Sequence, residues 1–251
     1  MAEQSRPAHV EEQSPAVDMA ERAGQHTGNP QVLESRLFMQ LLVFECDQDR
    51  DPVQAVDQIA TELARRDACA VIYADVNAPR NLGVLTWSEE PSHFVTAVRP
   101  AILAVGHGLK PLPEFTMLGR TYSTGFEPDL RFWLLTRPVS TVTNESWPWA
   151  VWYPLRRSGA FNRLDGREQG AILKEHGQIG RAYGEQDLAH DVRLACHGLD
   201  THDNDFVIGL IGKELHPLSH VVQSMRKTRQ TSEFIASMGP FFVGHVVRRI
   251  T

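Results

Sequence analysis

The amino-acid sequence predicts an α+β fold made of two tandem ferredoxin-like halves whose sheets fuse into a single α+β barrel. Three observations lead there. Short apolar runs of strand length alternate with longer segments in which apolar residues recur every three or four positions. Paired runs are joined by polar turns such as Asn77-Ala78-Pro79-Arg80-Asn81, the mark of a hairpin. The order β-α-β-β-α-β, complete by about residue 140, then starts again.

Residues 1–35 hold no aromatic side chain and are rich in Glu, Gln, Ala, Ser and Pro, so a flexible tail is expected there. Residues 36–140 form the expected N-terminal half. Its first strand begins at Leu37 in LFMQLLVF, and Asp51-Pro52 opens a helix with Val53, Val56, Ile59, Ala60 and Leu63 on one side. Residues 69–76 and 83–87 are the hairpin strands, 91–104 a second helix, and 115–122 the last strand before the turn Gly125-Phe126-Glu127-Pro128. Residues 141–251 repeat the order: a strand at 149–153, a helix at 165–183, strands at 191–197 and 206–211, a helix at 217–231 and a closing strand at 241–247.

With 251 residues and 42% hydrophobic side chains, the chain can bury a full core. Its net charge of −6 is well mixed, with no basic stripe, which argues against nucleic acid as a partner. No run approaches a membrane span, and the N-terminus lacks the apolar segment of a secretory signal. Cys46, Cys69 and Cys196 are far apart and never in CxxC, so no disulfide framework is expected and a cytoplasmic, reducing setting fits best.

Candidate chemistry centres on AILKEHGQIGRAY, residues 171–183, where Ile172, His176, Ile179 and Tyr183 share one helix stripe. An imidazole in such a stripe needs a hydrogen-bond partner, a metal or a cofactor iron; a satisfied core histidine is the commoner case. Arg193 alternates with Val192 and Leu194 on a strand, so it is either solvent-facing or a buried cation requiring an anion. Tyr153 ends a strand before Pro154 and the pair Arg156-Arg157, where it could face an anionic ligand. The dense His197-to-Asp205 stretch reads as a polar turn rather than a metal site, and His216 and His220 as an exposed helix face.

Together, WYPLRR, EHGQIGRAY, the DNDF stretch, MRKTRQTSEF and GPFFVG resemble the chlorite dismutase and coproheme decarboxylase superfamily of haem proteins, over about residues 149–247. The resemblance implies haem in the C-terminal half, His176 as the iron ligand, and a homo-oligomer, usually a pentamer. Tyr153 falls on the radical-forming tyrosine of the decarboxylases' Tyr-Pro-Met-x-Lys pattern, with Leu155 in place of the methionine and Arg157 on the lysine that would pair a propionate. Arg193 falls on the distal arginine of chlorite dismutases, or Asp191 does in a shifted alignment. Gln230 replaces the glutamate that would hydrogen-bond the proximal histidine, and a neutral amide pushes less electron density to iron.

Two activities follow from the resemblance. One is peroxide-dependent decarboxylation of iron coproporphyrin III to haem b, which Tyr153 favours. The other keeps haem b intact and acts on a small oxyanion or as a peroxidase, which Arg193 favours; Gln230 weakens both. A non-catalytic haem-binding or haem-sensing protein, or a fold member without haem, is the alternative of a different class.

Overall fold

The computed structural model describes residues 16–26 and 28–251. The chain opens with a hairpin, β1 (Glu21–His26) and β2 (Asn29–Leu33), followed by β3 (Phe38–Cys46) and helix α1 (Pro52–Ala64). Next come β4 (Ala70–Asp75), β5 (Asn81–Ser88), α2 (Arg99–Ala104), the short β6 (Leu109–Pro111) and β7 (Met117–Arg120). Helix α3 (Arg137–Thr143) leads into the second half. That half comprises β8 (Trp149–Arg157), α4 (Gly166–Glu185), β9 (His190–Ala195), β10 (Phe206–Gly212), α5 (Leu215–Met225), α6 (Arg229–Phe234), β11 (Ile235–Met238) and β12 (Phe242–Ile250).

The predicted α+β architecture is present in full. The first half gives the strand order β7-β3-β5-β4 and the second β12-β8-β10-β9, the same ferredoxin-like arrangement twice. Strand β12 pairs with β4 along most of its length, and β7 meets β9 at Arg120 and Ala195, so the two sheets close into a ring. Met39, Leu41, Tyr73, Trp152, Leu194 and Phe242 fill its interior. The rings of Trp152 and Phe242 fit because the facing residues are glycines: a Cβ on Gly209 or Gly83 would lie 2.5 Å from a Trp152 or Phe242 ring atom.

Helices cover the outside of each sheet. Asp51 caps α1, which buries Ala55, Val56, Ile59 and Leu63 against β3, β4 and β5. Single π-helical turns at Phe94–Val98 and Phe132–Thr136 each run into Arg-Pro, at Arg99-Pro100 and Arg137-Pro138. Proline lacks an N–H and crowds the preceding turn, so the widened turn accommodates it.

Three expectations differ from what the chain does. Within the segment expected to be a flexible tail, residues 21–26 and 29–33 pair as the β1–β2 hairpin; residues 1–15 and 27 lie outside the described residues. Ala23 and Leu33 of the hairpin pack against the core, and polar bonds pin it further. Ser123 N donates to Glu21 at 2.9 Å, Gln31 Nε2 donates to the Glu127 carbonyl at 2.8 Å, and Leu130 N donates to Gln31 at 2.6 Å. The expected helix at 217–231 is two helices, α5 and α6, because Thr228 donates its hydroxyl to Met225 O at the end of α5 and caps Thr231 N at the start of α6. The expected boundary between halves at 140 and 141 falls inside α3.

Candidate functional site

The outer side of β8, β9 and β10 is tiled in registered rows. Ile208 on β10 stands opposite both Tyr153 on β8 and Arg193 on β9. Directly paired residues share a sheet face, so these three lie in one row, with Tyr153 and Arg193 about 10 Å apart across two strand spacings. The neighbouring rows are Val151-Leu210-Asp191 and Leu155-Phe206-Ala195. Val192 and Leu194 point the other way, into the barrel.

Helix α4 lies over this face. Asp165 caps it by accepting from Glu168 N at 2.8 Å. Arg229 of α6 ties down its flank, bonding Glu168 at 2.8 Å through Nη2 and Glu175 at 3.2 Å through its backbone N–H. The predicted stripe faces inward, but of these 20 residues only Ile172 is fully buried, in a cluster with Phe161 and Phe234. Ile179 and Tyr183 pack at the other end of the helix, toward α5. His176 sits between, half-buried.

Hydrogen bonding fixes the state of that histidine. Its Nδ1 lies 3.3 Å from Thr228 Oγ1, whose own proton has two acceptors, the Met225 carbonyl at 2.7 Å and the more distant Thr231 Oγ1 at 3.3 Å. With that proton on the nearer carbonyl, Thr228 accepts, so Nδ1 carries the hydrogen and Nε2 keeps its lone pair. Burial, together with the charges of Arg157 and Arg193, lowers the imidazole pKa below its usual 6.5. His176 is thus a neutral, oriented ligand base.

The partner is Thr228, not Gln230, which corrects the role expected for Gln230. Gln230 is buried, and its Oε1 has no hydrogen-bond partner. Arg157 lies with its guanidinium 4.4 Å from the Phe161 ring and 4.8 Å from the Phe206 ring. Its Nε is buried without a partner, burial pulls its pKa down, and among the described residues no carboxylate pairs with its side chain. Tyr153 is buried and stacked on Phe241 at 4.7 Å; burial, then the charge of Asp191, pushes its phenol well above the usual range.

Arg193 and Asp191, alternatives for one position in the sequence, act together. Arg193 Nε is 3.0 Å from Asp191 Oδ2, while Arg137 reaches Asp191 Oδ1 at 2.8 Å and its backbone carbonyl at 2.7 Å. Arg137 also lies over the Trp133 ring at 4.5 Å. Tyr122, just past β7, adds a buried phenol near Arg193 and Arg157, its ring 5.5 Å from that of Phe206. Neither Tyr122 nor Arg137 was identified from sequence: one arrives through the β7–β9 closure, the other through the π turn before α3.

Other candidates are accounted for structurally. In the 197–205 loop, Asp205 accepts from Arg157 N at 2.6 Å and pairs His197 at 3.1 Å, and Asp200 binds the loop's own amides. His216 and His220 are exposed on α5, with His220 hydrogen-bonded to Tyr183. Among the described residues no three His, Cys, Asp or Glu side chains group to hold a metal ion. A metal at His176 would thus have to bring its other ligands with it, as a macrocycle does.

Residues 134–247 match the chlorite dismutase family. The C-terminal part of the chain is thus similar to the chlorite dismutase family. Solved structures agree over most of the chain. A heme-binding protein from Thermus thermophilus superposes with a TM-score of 0.66 at 18% identity, covering 85% of this chain and 92% of its own. A variant chlorite dismutase from Candidatus Nitrospira defluvii gives 0.67 at 17%, covering 86% and 92%. Another variant of that enzyme, in complex with cyanide, gives 0.64 at 16%, with the same coverages. No curated protein matches in sequence. The superfamily's match covers α4 and the whole layer beneath it, and among the described residues no helix is long and apolar enough to cross a membrane.

Proposed function

We propose that the chain binds an iron porphyrin between α4 and the outer face of β8–β10, and that it oxidatively decarboxylates iron coproporphyrin III to haem b. The observation that carries this reading is the state of His176: neutral, with Nδ1 committed to Thr228 and Nε2 free to ligate, midway along a helix stripe that the protein leaves only partly covered. The remaining residues suit the same group. Arg157 offers an unpaired cation to a propionate, and Gln230 Oε1 is a buried acceptor in want of a donor. Apolar Leu155, Phe206, Ile208 and Phe241 supply a surface for a flat macrocycle.

When bound, the iron supplies the reaction with peroxide that oxidises a nearby side chain. Tyr153 is the residue we assign to that role. Its phenol is held protonated by burial and by Asp191, so it gives up an electron together with its proton. It regains a hydrogen atom from the β-carbon of a propionate that Arg157 holds in reach. Loss of one further electron and of carbon dioxide leaves a vinyl group. Each propionate consumes one peroxide and one proton and releases two waters. Arg193, engaged by Asp191, is poorly placed to hold an oxyanion, which disfavours the chlorite reading.

The test is to load the purified protein with ferric coproporphyrin III, add hydrogen peroxide in steps, and follow the porphyrin by mass spectrometry. Stepwise loss of two carboxyl groups, abolished in Tyr153→Phe but with porphyrin binding retained, is expected. Porphyrin that binds and stays unchanged would overturn the decarboxylase assignment.

A further inference from the structure

Beside the Tyr153–Ile208–Arg193 row stands a carboxylate that in the function proposed above neither ligates iron nor carries the radical. Asp191 is on the same strand and face as Arg193, two residues away, and both its oxygens are taken by guanidiniums: Oδ1 by Arg137 at 2.8 Å and Oδ2 by Arg193 at 3.0 Å. Its backbone carbonyl accepts a further bond from Arg137 at 2.7 Å. Burial alone would raise its pKa, but the charges of Arg193 and Arg137 outweigh that and hold it below the usual carboxylate range. So bound, Asp191 is a poor proton acceptor and a fixed negative charge.

A second carboxylate, Glu127, lies within electrostatic reach of the same guanidinium and is itself held ionised by Thr124, Ser123 and Gly125. Arg137 and Arg193 against Asp191 and Glu127 make two positive and two negative charges, a formal sum of zero. Arg157 also acts on His176, and in the function proposed above it is engaged by a propionate.

We propose that Asp191 determines which class of oxidant enters: by neutralising Arg193 on the face opposite His176, it selects a neutral peroxide and turns away small anions such as oxyanions. The proposal rests on the haem-binding reading. It makes Asp191 a specificity-determining residue, with Arg137 fixing its position from α3. Arg137 in turn is placed by the π-helical turn at Phe132–Thr136 and its contact with Trp133.

The test uses the full chain reconstituted with ferric haem b and follows the Soret band through two titrations, one with azide and one with imidazole. Azide probes charge at the iron; imidazole probes access alone. In Asp191→Asn, azide should bind about tenfold tighter, the order expected for removing a unit charge within several Å at a partly buried site, and imidazole should stay within about twofold. Arg137→Gln removes a positive charge and should weaken azide by a similar factor, again sparing imidazole. Opposite signs in the two variants distinguish electrostatics from disruption, since loosening the site by breaking the clamp would shift both variants the same way. If azide affinity does not change in either variant, or tracks imidazole in both, the selectivity role is overturned while haem binding stands. If the wild-type chain takes up no haem, or if His176→Ala takes it up equally well, the haem reading fails and the proposal with it.

Discussion

Replacing Thr228 by valine tests the atom that orients His176. Thr228 is only 1% exposed, and besides a 3.3 Å contact with Thr231 Oγ1 its Oγ1 does three things: it donates to Met225 O at 2.7 Å, accepts from His176 Nδ1 at 3.3 Å, and caps Thr231 N at 3.4 Å. Valine keeps the shape and removes all three. Loss of the cap costs about 1 kcal/mol, and loss of the hydroxyl bond to Met225 O, which keeps the residue-228 N–H at 3.0 Å, adds roughly 1 kcal/mol. The apo-protein should therefore lose about 2 kcal/mol in urea unfolding, the sum of those two costs. Haem affinity should fall separately, by about 10- to 100-fold, the usual effect of removing the group that orients a ligating histidine. The imidazole would be free to rotate or to move its proton to Nε2, the ligating nitrogen. Thr228→Ser, which retains the oxygen, should recover most of both losses. The measurements are a urea titration of the apo-protein and a Soret titration with haem at a concentration where the variant is folded. If stability falls by the expected amount but haem affinity stays within about twofold of wild type, Thr228 is a helix cap and nothing more, and the tautomer argument for His176 is refuted.

Gly209→Ala puts a Cβ 2.5 Å from the Trp152 ring; overpacking should cost about 1–3 kcal/mol in urea unfolding, and a neutral result would mean the barrel interior is loosely filled. Because burial and then Arg157 and Arg193 hold His176 below 6.5, the unfolded chain takes up its proton first as pH falls. This contribution to apo stability is full above about pH 6.5 and is lost as pH drops through the folded pKa; urea midpoints for wild type and His176→Gln should diverge above that window and converge below it. Arg157→Met should weaken coproporphyrin binding by more than tenfold at about 1.4 kcal/mol per tenfold, and should weaken binding of the propionate-esterified porphyrin far less; equal losses would remove Arg157 from carboxylate recognition.

The fold was legible because its strands and helices are written in apolar periodicity. LFMQLLVF and the Val56-Ile59-Leu63 stripe bury where a simple pattern places them, although Val53, expected on the same side, is exposed at the start of the helix. The β1–β2 hairpin was not legible, because Glu21 and Gln31 hold it by polar bonds to residues 123–130 that no local pattern announces. The site divides along the same line. His176 and Arg193 could be placed by their spacing within α4 and β9. Arg137 and Tyr122 could not, since each reaches the layer through a junction between the halves rather than through its own element. Thr228 lay within reach: a threonine directly after Arg226-Lys227 in an otherwise helical run is a candidate cap, and taking 217–231 as one helix hid it.

The two halves provide an internal control for what the second one lacks. In the first, α1 follows β3 and buries four side chains against a face made of Phe44, Ala70, Ile72, Leu82 and Val84. Each large apolar side chain buried this way is worth about 1.5–3 kcal/mol, so that layer is stable as built. In the second, α4 occupies the same place in the strand order after β8, is longer, and fully buries Ile172 alone. Beneath it the corresponding strands present Tyr153, Arg193 and Asp191 among their apolar residues. A helix needing only to close a sheet would carry more of the apolar residues that α1 carries. The apolar contacts α4 makes are toward its two ends, with Phe161 and Phe234 at one and α5 at the other, and its middle, held by polar bonds to Thr228 and Arg229, carries a histidine with a free nitrogen. The missing apolar contact and the oriented base occur at the same point along the helix. A flat apolar ligand carrying a metal would satisfy both at once, whereas a satisfied core histidine would explain the hydrogen bond but not the thin packing around it.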